Sequence, residues 1–286
     1  MFVISAAVIA LAACKKEVPS VEITSTPISF GVYTQGQTRG ADVTNDNLTS
    51  IKVLANYIKD NVTTKYFNET IAKSAIKWES TCYWPASGTM DFYASNNTVS
   101  DNGVVTVTSI GEDVVVAKAT NQACSSSPSA VVLSFGHIFS KLAVKANVAD
   151  AGSLKATITK IEVSAKAPAS YDITKASANW ELGTEASETY YSGTKEISSE
   201  TLTGVELTKE YVAPQEVVTV KIYCEITTKD GETVLADYST SPKEVQLTMT
   251  EGKTHTINLT FNANKIEFSP DVTDFSSAAD TEATIK

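Results

Sequence analysis

Apolar residues recur at every second position along most of this chain, a period that marks half-buried β-strands. Val217–Thr227 is the clearest case, with Val220, Ile222, Cys224 and Ile226 on one face. Ile28, Phe30 and Val32 likewise alternate with Ser29, Gly31 and Tyr33. The same pattern predicts strands over 48–58, 90–94, 104–107, 113–119 and 155–164. Asp101-Asn102-Gly103, Asp230-Gly231 and Glu251-Gly252 supply turn signals between strands. Residues 131–135 and 138–148 read as a strand pair or one bulged strand with Gly136 at the kink. A single segment suggests otherwise: Phe67, Ile71, Ala75 and Trp78 roughly follow helical spacing, so a short helix is expected within 61–77. Residues 262–286 carry Ile266, Phe268, Val272 and Phe275 and predict a last strand and a tail.

Many short strands rich in Thr and Val, with almost no long helix, point to an all-β protein built of sandwiches. The chain has 286 residues, enough for two domains of roughly 100–150 residues each. The polar break at 149–153 places the division near residue 152. No sequence repeat relates the halves.

The N-terminus has a different pattern. Phe2–Ala13 is a continuous apolar run, too short to span a bilayer, which takes about 20 residues, and it reads as the apolar stretch of a secretory signal. No Lys or Arg precedes it, so the charged part of that signal is expected upstream of Met1. Leu11-Ala12-Ala13-Cys14 resembles the lipobox of bacterial lipoproteins, which would make Cys14 the lipidated residue. A polar tether with Pro19 and Pro27 follows, then the 28–33 strand, then Gln35-Gly36-Gln37-Thr38-Arg39-Gly40. That last stretch breaks the strand and should lie exposed, as a protease requires. Arg39 is the only arginine in the chain, so an arginine-specific protease could cut it only once, between Arg39 and Gly40. Ile28, Phe30 and Val32 would then belong to a removable strand lying between a lipid and a cleavage site.

Charge and composition narrow the function. A net charge of −10 with no basic cluster argues against nucleic acid as a partner. His137 and Ser140 are close in sequence, yet no Gly-x-Ser-x-Gly elbow accompanies them. Glu112-Asp113 and Glu185/Glu188 read as solvated charge in polar loops. No phosphate loop, zinc signature or EF-hand pattern occurs, so neither enzyme activity nor a metal or cofactor is expected. Cys82 and Cys124 lie in the same half and leave pairing open, whereas Cys224 reads as a buried thiol. Trp78, Tyr83, Trp84 and Tyr93 form the one dense aromatic group. Exposed, they would suit stacking on sugars; buried, they are core.

Taken in order, several stretches resemble a Bacteroidales-type fimbrillin, a family of pilus subunits. They are the lipobox at Cys14, Ile28–Val32 ahead of Thr38-Arg39-Gly40, Asn47-Leu48-Thr49-Ser50 and Trp78…Tyr83-Trp84-Pro85…Asp91-Phe92-Tyr93-Ala94. Phe135–Leu142, Ala213-Pro214-Gln215 and Glu251–Thr256 complete the series. The resemblance implies two transthyretin-like β-sandwich domains in tandem. On that reading residues 1–14 are signal and lipidated cysteine, 15–40 a propeptide with the removable strand, and 41–152 and 153–286 the two domains. It implies export as an outer-membrane lipoprotein, cleavage after Arg39 by an arginine-specific surface protease, and polymerisation by strand exchange into a fimbrium that supports adhesion. The partners would be other fimbrial subunits, copies of this chain or accessory pilins. The donor strand is expected within 262–286. An uncleaved anchor subunit and a glycan-binding surface lipoprotein are the alternatives.

Overall fold

The computed structural model describes residues 21–34, 42–75, 77–107, 111–125, 128–177 and 179–274, and these contain strands, turns and loops but no helix. Seven strands form the first sheet. Their order is β3 (Val62–Ala72), β2 (Ser50–Lys59), β5 (Thr89–Ser95), β7 (Val115–Ala123), β8 (Val131–His137), β1 (Ile23–Thr34) and β4 (Trp78–Pro85). The joint between β7 and β8 is short, consisting of Val115–His137 and Val116–Gly136. There the sheet folds over, so that β8, β1 and β4 face the other four strands. Phe30 from one layer meets Phe92 from the other edge-on at 5.4 Å, and Trp84 meets the same Phe92 at 5.8 Å. Phe92, Ile51, Val53 and Leu133 are fully enclosed in this first core.

Two further sheets face each other across a second core. One runs β11 (Trp180–Ile197), β10 (Leu154–Asp172), β14 (Gln215–Thr228) and β15 (Val234–Asp237). Against it, β16 (Lys243–Met249) pairs with β14 and β6 (Val104–Thr106) with β10. The other runs β12 (Thr203–Val205), β9 (Ser140–Val148), β17 (Lys253–Asn262) and β18 (Lys265–Asp274), with β13 (Tyr211–Val212) on β9. Strict alternation along β9 buries Leu142, Val144, Ala146 and Val148. Val218, Val220, Ile222, Cys224 and Ile226 of β14 lie opposite with no exposure at all. Cys224 is thus the buried thiol its alternation predicts, and Cys82, Cys124 and Cys224 are not joined by disulfides. Burial pushes the Cys224 thiol up to about 12, well outside the reactive range.

A third core ties the halves together. The β10–β11 hairpin reaches past its own sandwich, and Ser170, Tyr171 and Asp172 pair with Thr106, Val105 and Val104 of β6. Around that crossing Leu54, Tyr93 and Val114 from the first half pack with Phe139, Tyr171 and Tyr211. Trp180 stacks on Phe139 at 5.3 Å and donates its indole N–H to the Ile138 carbonyl at 3.2 Å.

The structure departs from the sequence pattern at defined places. The helix expected within 61–77 is strand β3. Asp60 and Asn61, at φ 52° and 61°, form a two-residue turn that pairs Lys59 with Val62 and zips β3 onto β2. Phe67 and Ile71 are four apart, a spacing that suits one face of a strand as well as one face of a helix. Residues 131–148 form neither a pair nor one bulged strand. β8 stays in the first sheet, the chain crosses over at Ile138-Phe139, and β9 joins β17. The change of sheet therefore precedes the polar break at 149–153. Glu251-Gly252 does turn the chain, with Gly252 at φ +67°, but it carries the chain from one sheet to the other instead of closing a ladder.

His255, just after that turn, is buried and its Nε2 accepts the Thr250 N–H at 3.0 Å. Burial holds its pKa below the usual 6.5. The folded state therefore binds this proton less readily than the unfolded chain, and stability falls as pH drops below about 6.5. Melting from pH 7.5 to pH 5 should show a smaller loss of Tm for His255→Gln than for the wild type.

Candidate functional site at the N-terminal strand

β1 lies inside its sheet, between two neighbours. Its first part runs antiparallel to β4, from Ile23–Pro85 to Phe30–Trp78, with irregular register around Pro27. Proline has no N–H to give a ladder, so a bulge there is expected. Its second part runs parallel to β8, from Phe30–Val131 to Thr34–Phe135. Ile28 is fully buried, Phe30 is 5% exposed, and Val32 is half-buried. Ile28 and Phe30 together contribute about 3–6 kcal/mol of gross burial. On the outer face Tyr33 folds back over Gly31, where an added Cβ would sit 3.4 Å from the ring.

Among the described residues, pairing with β4 stops at Phe30 and no strand pairs with residues 31–34 on that side. An open cleft of about 320 Å³ lies there, lined by Phe30, Gly31, Val32, Tyr33, Asn45, Leu48, Lys73 and Trp78. Cys14, Arg39 and Gly40 lie outside the described residues.

Asp42 opens a tightly held turn. Asp42 is 1% exposed, and its carboxylate accepts from Lys141 Nζ at 2.9 Å and from the Tyr211 hydroxyl at 2.5 Å. Its carbonyl accepts from Asn47 Nδ2 at 2.7 Å. Lys141 also pairs with Glu210 at 2.9 Å. Burial alone would lower the Lys141 pKa, but the bonds to Asp42 and Glu210 outweigh it and raise the pKa. Burial, reinforced by Asp42, pushes the Tyr211 hydroxyl far above the usual tyrosine range, so it remains a donor. One residue on, the Val43 N–H donates to Asp113 Oδ2 at 2.8 Å, and the same oxygen lies 2.7 Å from His137 Nδ1. Asn45 Oδ1 accepts the Thr34 N–H at 2.8 Å, tying this turn to the end of β1. The Leu48 N–H closes the turn on the Thr44 carbonyl at 3.0 Å.

Asp113 is not solvated loop charge as its polar neighbours suggest. It is 3% exposed and holds two partners, while Glu112 beside it is exposed. Nothing in the local sequence marks the Asp42 cluster, because Lys141 and Tyr211 are 99 and 169 residues from Asp42. His137 is engaged by Asp113, and the Ser140 hydroxyl donates to the Thr250 carbonyl. Trp78, Trp84 and Tyr93 are 5%, 2% and 7% exposed, so these rings belong to cores and not to a sugar-stacking surface. No group of three or more His, Cys, Asp and Glu suited to a metal occurs among the described residues.

The fimbrillin-like family model matches residues 30–274, from the middle of β1 to the end of β18. A fimbrial protein from Bacteroides vulgatus superposes with a TM-score of 0.60 at 16% identity, over 86% of this chain and 99% of that one. A fimbrial assembly protein from Parabacteroides distasonis gives 0.50 at 13% identity, over 87% and 98%. These two likenesses are of fold. A search of the curated proteins found no match.

Proposed function

The chain belongs to the fimbrillin-like family, and from that premise we propose that it is a fimbrial subunit exported as a lipoprotein, cut after Arg39 and polymerised by strand exchange. The observation that carries this reading is the seat of β1. The strand just ahead of the sole arginine lies between β4 and β8, with Ile28 and Phe30 in the core. Losing it would expose the edges of both neighbours and leave apolar pockets open, a template for a strand from another subunit. Such a contact is head-to-tail and builds an open filament. Cys14 anchors the precursor through lipid until the cut, and an arginine-specific surface protease makes it.

The chain also offers a donor. Ile266-Glu267-Phe268 on β18 repeats the spacing of Ile28-Ser29-Phe30. β18 is the edge strand of its sheet, and Ile266 and Phe268 are only half-buried against their own core. In that register Asp271 replaces Tyr33, beside Lys73 on the cleft. Within this reading the chain comprises two transthyretin-like domains, and the change of sheet at Ile138-Phe139 supports a boundary ahead of residue 149.

Arg39→Ala in the native host tests the reading. Unboiled surface protein from the wild type should run as a ladder with its mature N-terminus at Gly40. The variant should accumulate as a monomer acylated at Cys14. No ladder from the wild type, and no difference between the two, would overturn strand exchange in favour of an anchor.

A further inference from the structure

Cutting after Arg39 frees two ends, and only one of them should move. β1 ends at Thr34 and the held turn begins at Asp42, so the scissile bond lies in the short link between them. Asn45 and Leu48 of that turn also form a wall of the open cleft beside residues 31–34. The turn has partners on four later stretches of the chain: Lys73 just after β3, Asp113 ahead of β7, Lys141 on β9 and Tyr211 on β13. None of them is on β1. In the uncut chain the bond from the Thr34 N–H to Asn45 adds a tie that disappears with β1.

We infer that Asp42 is a pin: it holds the 42–48 turn in place when β1 departs, so that the turn stays as a fixed wall of the groove that receives an extended strand of a second copy. The inference rests on the strand-exchange reading and adds to it the residue that keeps the vacated groove in shape. A buried carboxylate with two charge-assisted or hydroxyl donors is a strong local tie. A wall already in position spares the incoming strand the cost of ordering it.

Hydrogen exchange on the purified chain, before and after one cut by an arginine-specific protease, tests the pin. Two reporters are read together. Residues 131–135 of β8, which pair with β1, report departure of the strand. The Leu48 amide, bonded to Thr44, reports the turn. In the cut wild type, 131–135 should exchange at least about 100-fold faster while Leu48 changes by less than about threefold. In cut Asp42→Ala, Leu48 should exchange at least about tenfold faster than in the cut wild type, and in the uncut variant the acceleration should be much smaller. Tyr211→Phe, which removes one donor and keeps the ring, should act in the same direction with less effect. Equal acceleration in cut and uncut Asp42→Ala would make Asp42 a merely structural residue and overturn the inference, as would a Leu48 amide indifferent to the substitution. If 131–135 keeps its protection after the cut, β1 has not left, and the strand-exchange reading falls along with the pin.

Discussion

Phe30→Ala should cost the uncut chain about 3–5 kcal/mol, the usual loss for a buried phenylalanine, and should cost the cut chain nothing once β1 has gone. Phe30 is 5% exposed and its ring stands edge-on to Phe92, which itself packs on Phe67 and Trp84. Removing the ring leaves a void that the two layers cannot readily close, because Phe67 and Trp84 still hold Phe92 in place. The same side chain is the largest that β1 contributes to its seat, so the variant weakens the plug and spares the groove. Denaturant unfolding of both proteins, before and after cleavage at Arg39, measures the difference. An equal loss in the cut protein would mean that β1 stays bound after the cut, and the release mechanism would be wrong.

Phe139→Ala should split one thermal transition into two. Phe139 is fully buried where the chain crosses between sandwiches, 5.3 Å from Trp180 and 5.9 Å from Tyr211. These rings, with Leu54, Tyr93 and Tyr171, form the core shared by both halves. The direct loss is again about 3–5 kcal/mol, but its location matters more than its size. Each sandwich keeps a core of its own, so weakening the shared one uncouples them and ends two-state behaviour. Calorimetry of the intact chain checks this. A single transition at lower temperature would show that the β6–β10 ladder and the bonds from Asp42 to Lys141 and Tyr211 suffice to couple the halves.

The all-β character was legible because burial follows period two along β9 and β14 with hardly a fault. β1 was legible for the same reason: Ile28 and Phe30 face inward as their alternation requires. Its neighbours were not. That β1 runs parallel to β8 and antiparallel to β4 depends on long-range pairing that no local pattern encodes. The β3 error has a physical source in the ambiguity of a four-residue spacing, and the turn at Asp60-Asn61, two residues able to take left-handed φ, was the available signal against a helix. The fate of 131–148 was hidden because apolar alternation continues through a change of sheet. Asp42 and Asp113 look like ordinary loop acids, and only the fold brings them to Lys141, Tyr211 and His137. The aromatic group at Trp78–Tyr93 was ambiguous in sequence, and burial assigns Trp78, Trp84 and Tyr93 to the interior.

The β1–β8 ladder also sets an order of events in time. Phe30 pairs with Val131, about a hundred positions later in the chain, and contacts that distant form slowly because a large loop must close first. The hairpins β2–β3 and β10–β11 have no such delay. β1 is made before the strands it pairs with, and its place beside β8 cannot be filled until β8 follows about a hundred residues later. Until that ladder closes, the place of β1 beside β8 is vacant, and the surface so exposed is the one that loss of β1 would expose. Association of two chains at that stage would be premature.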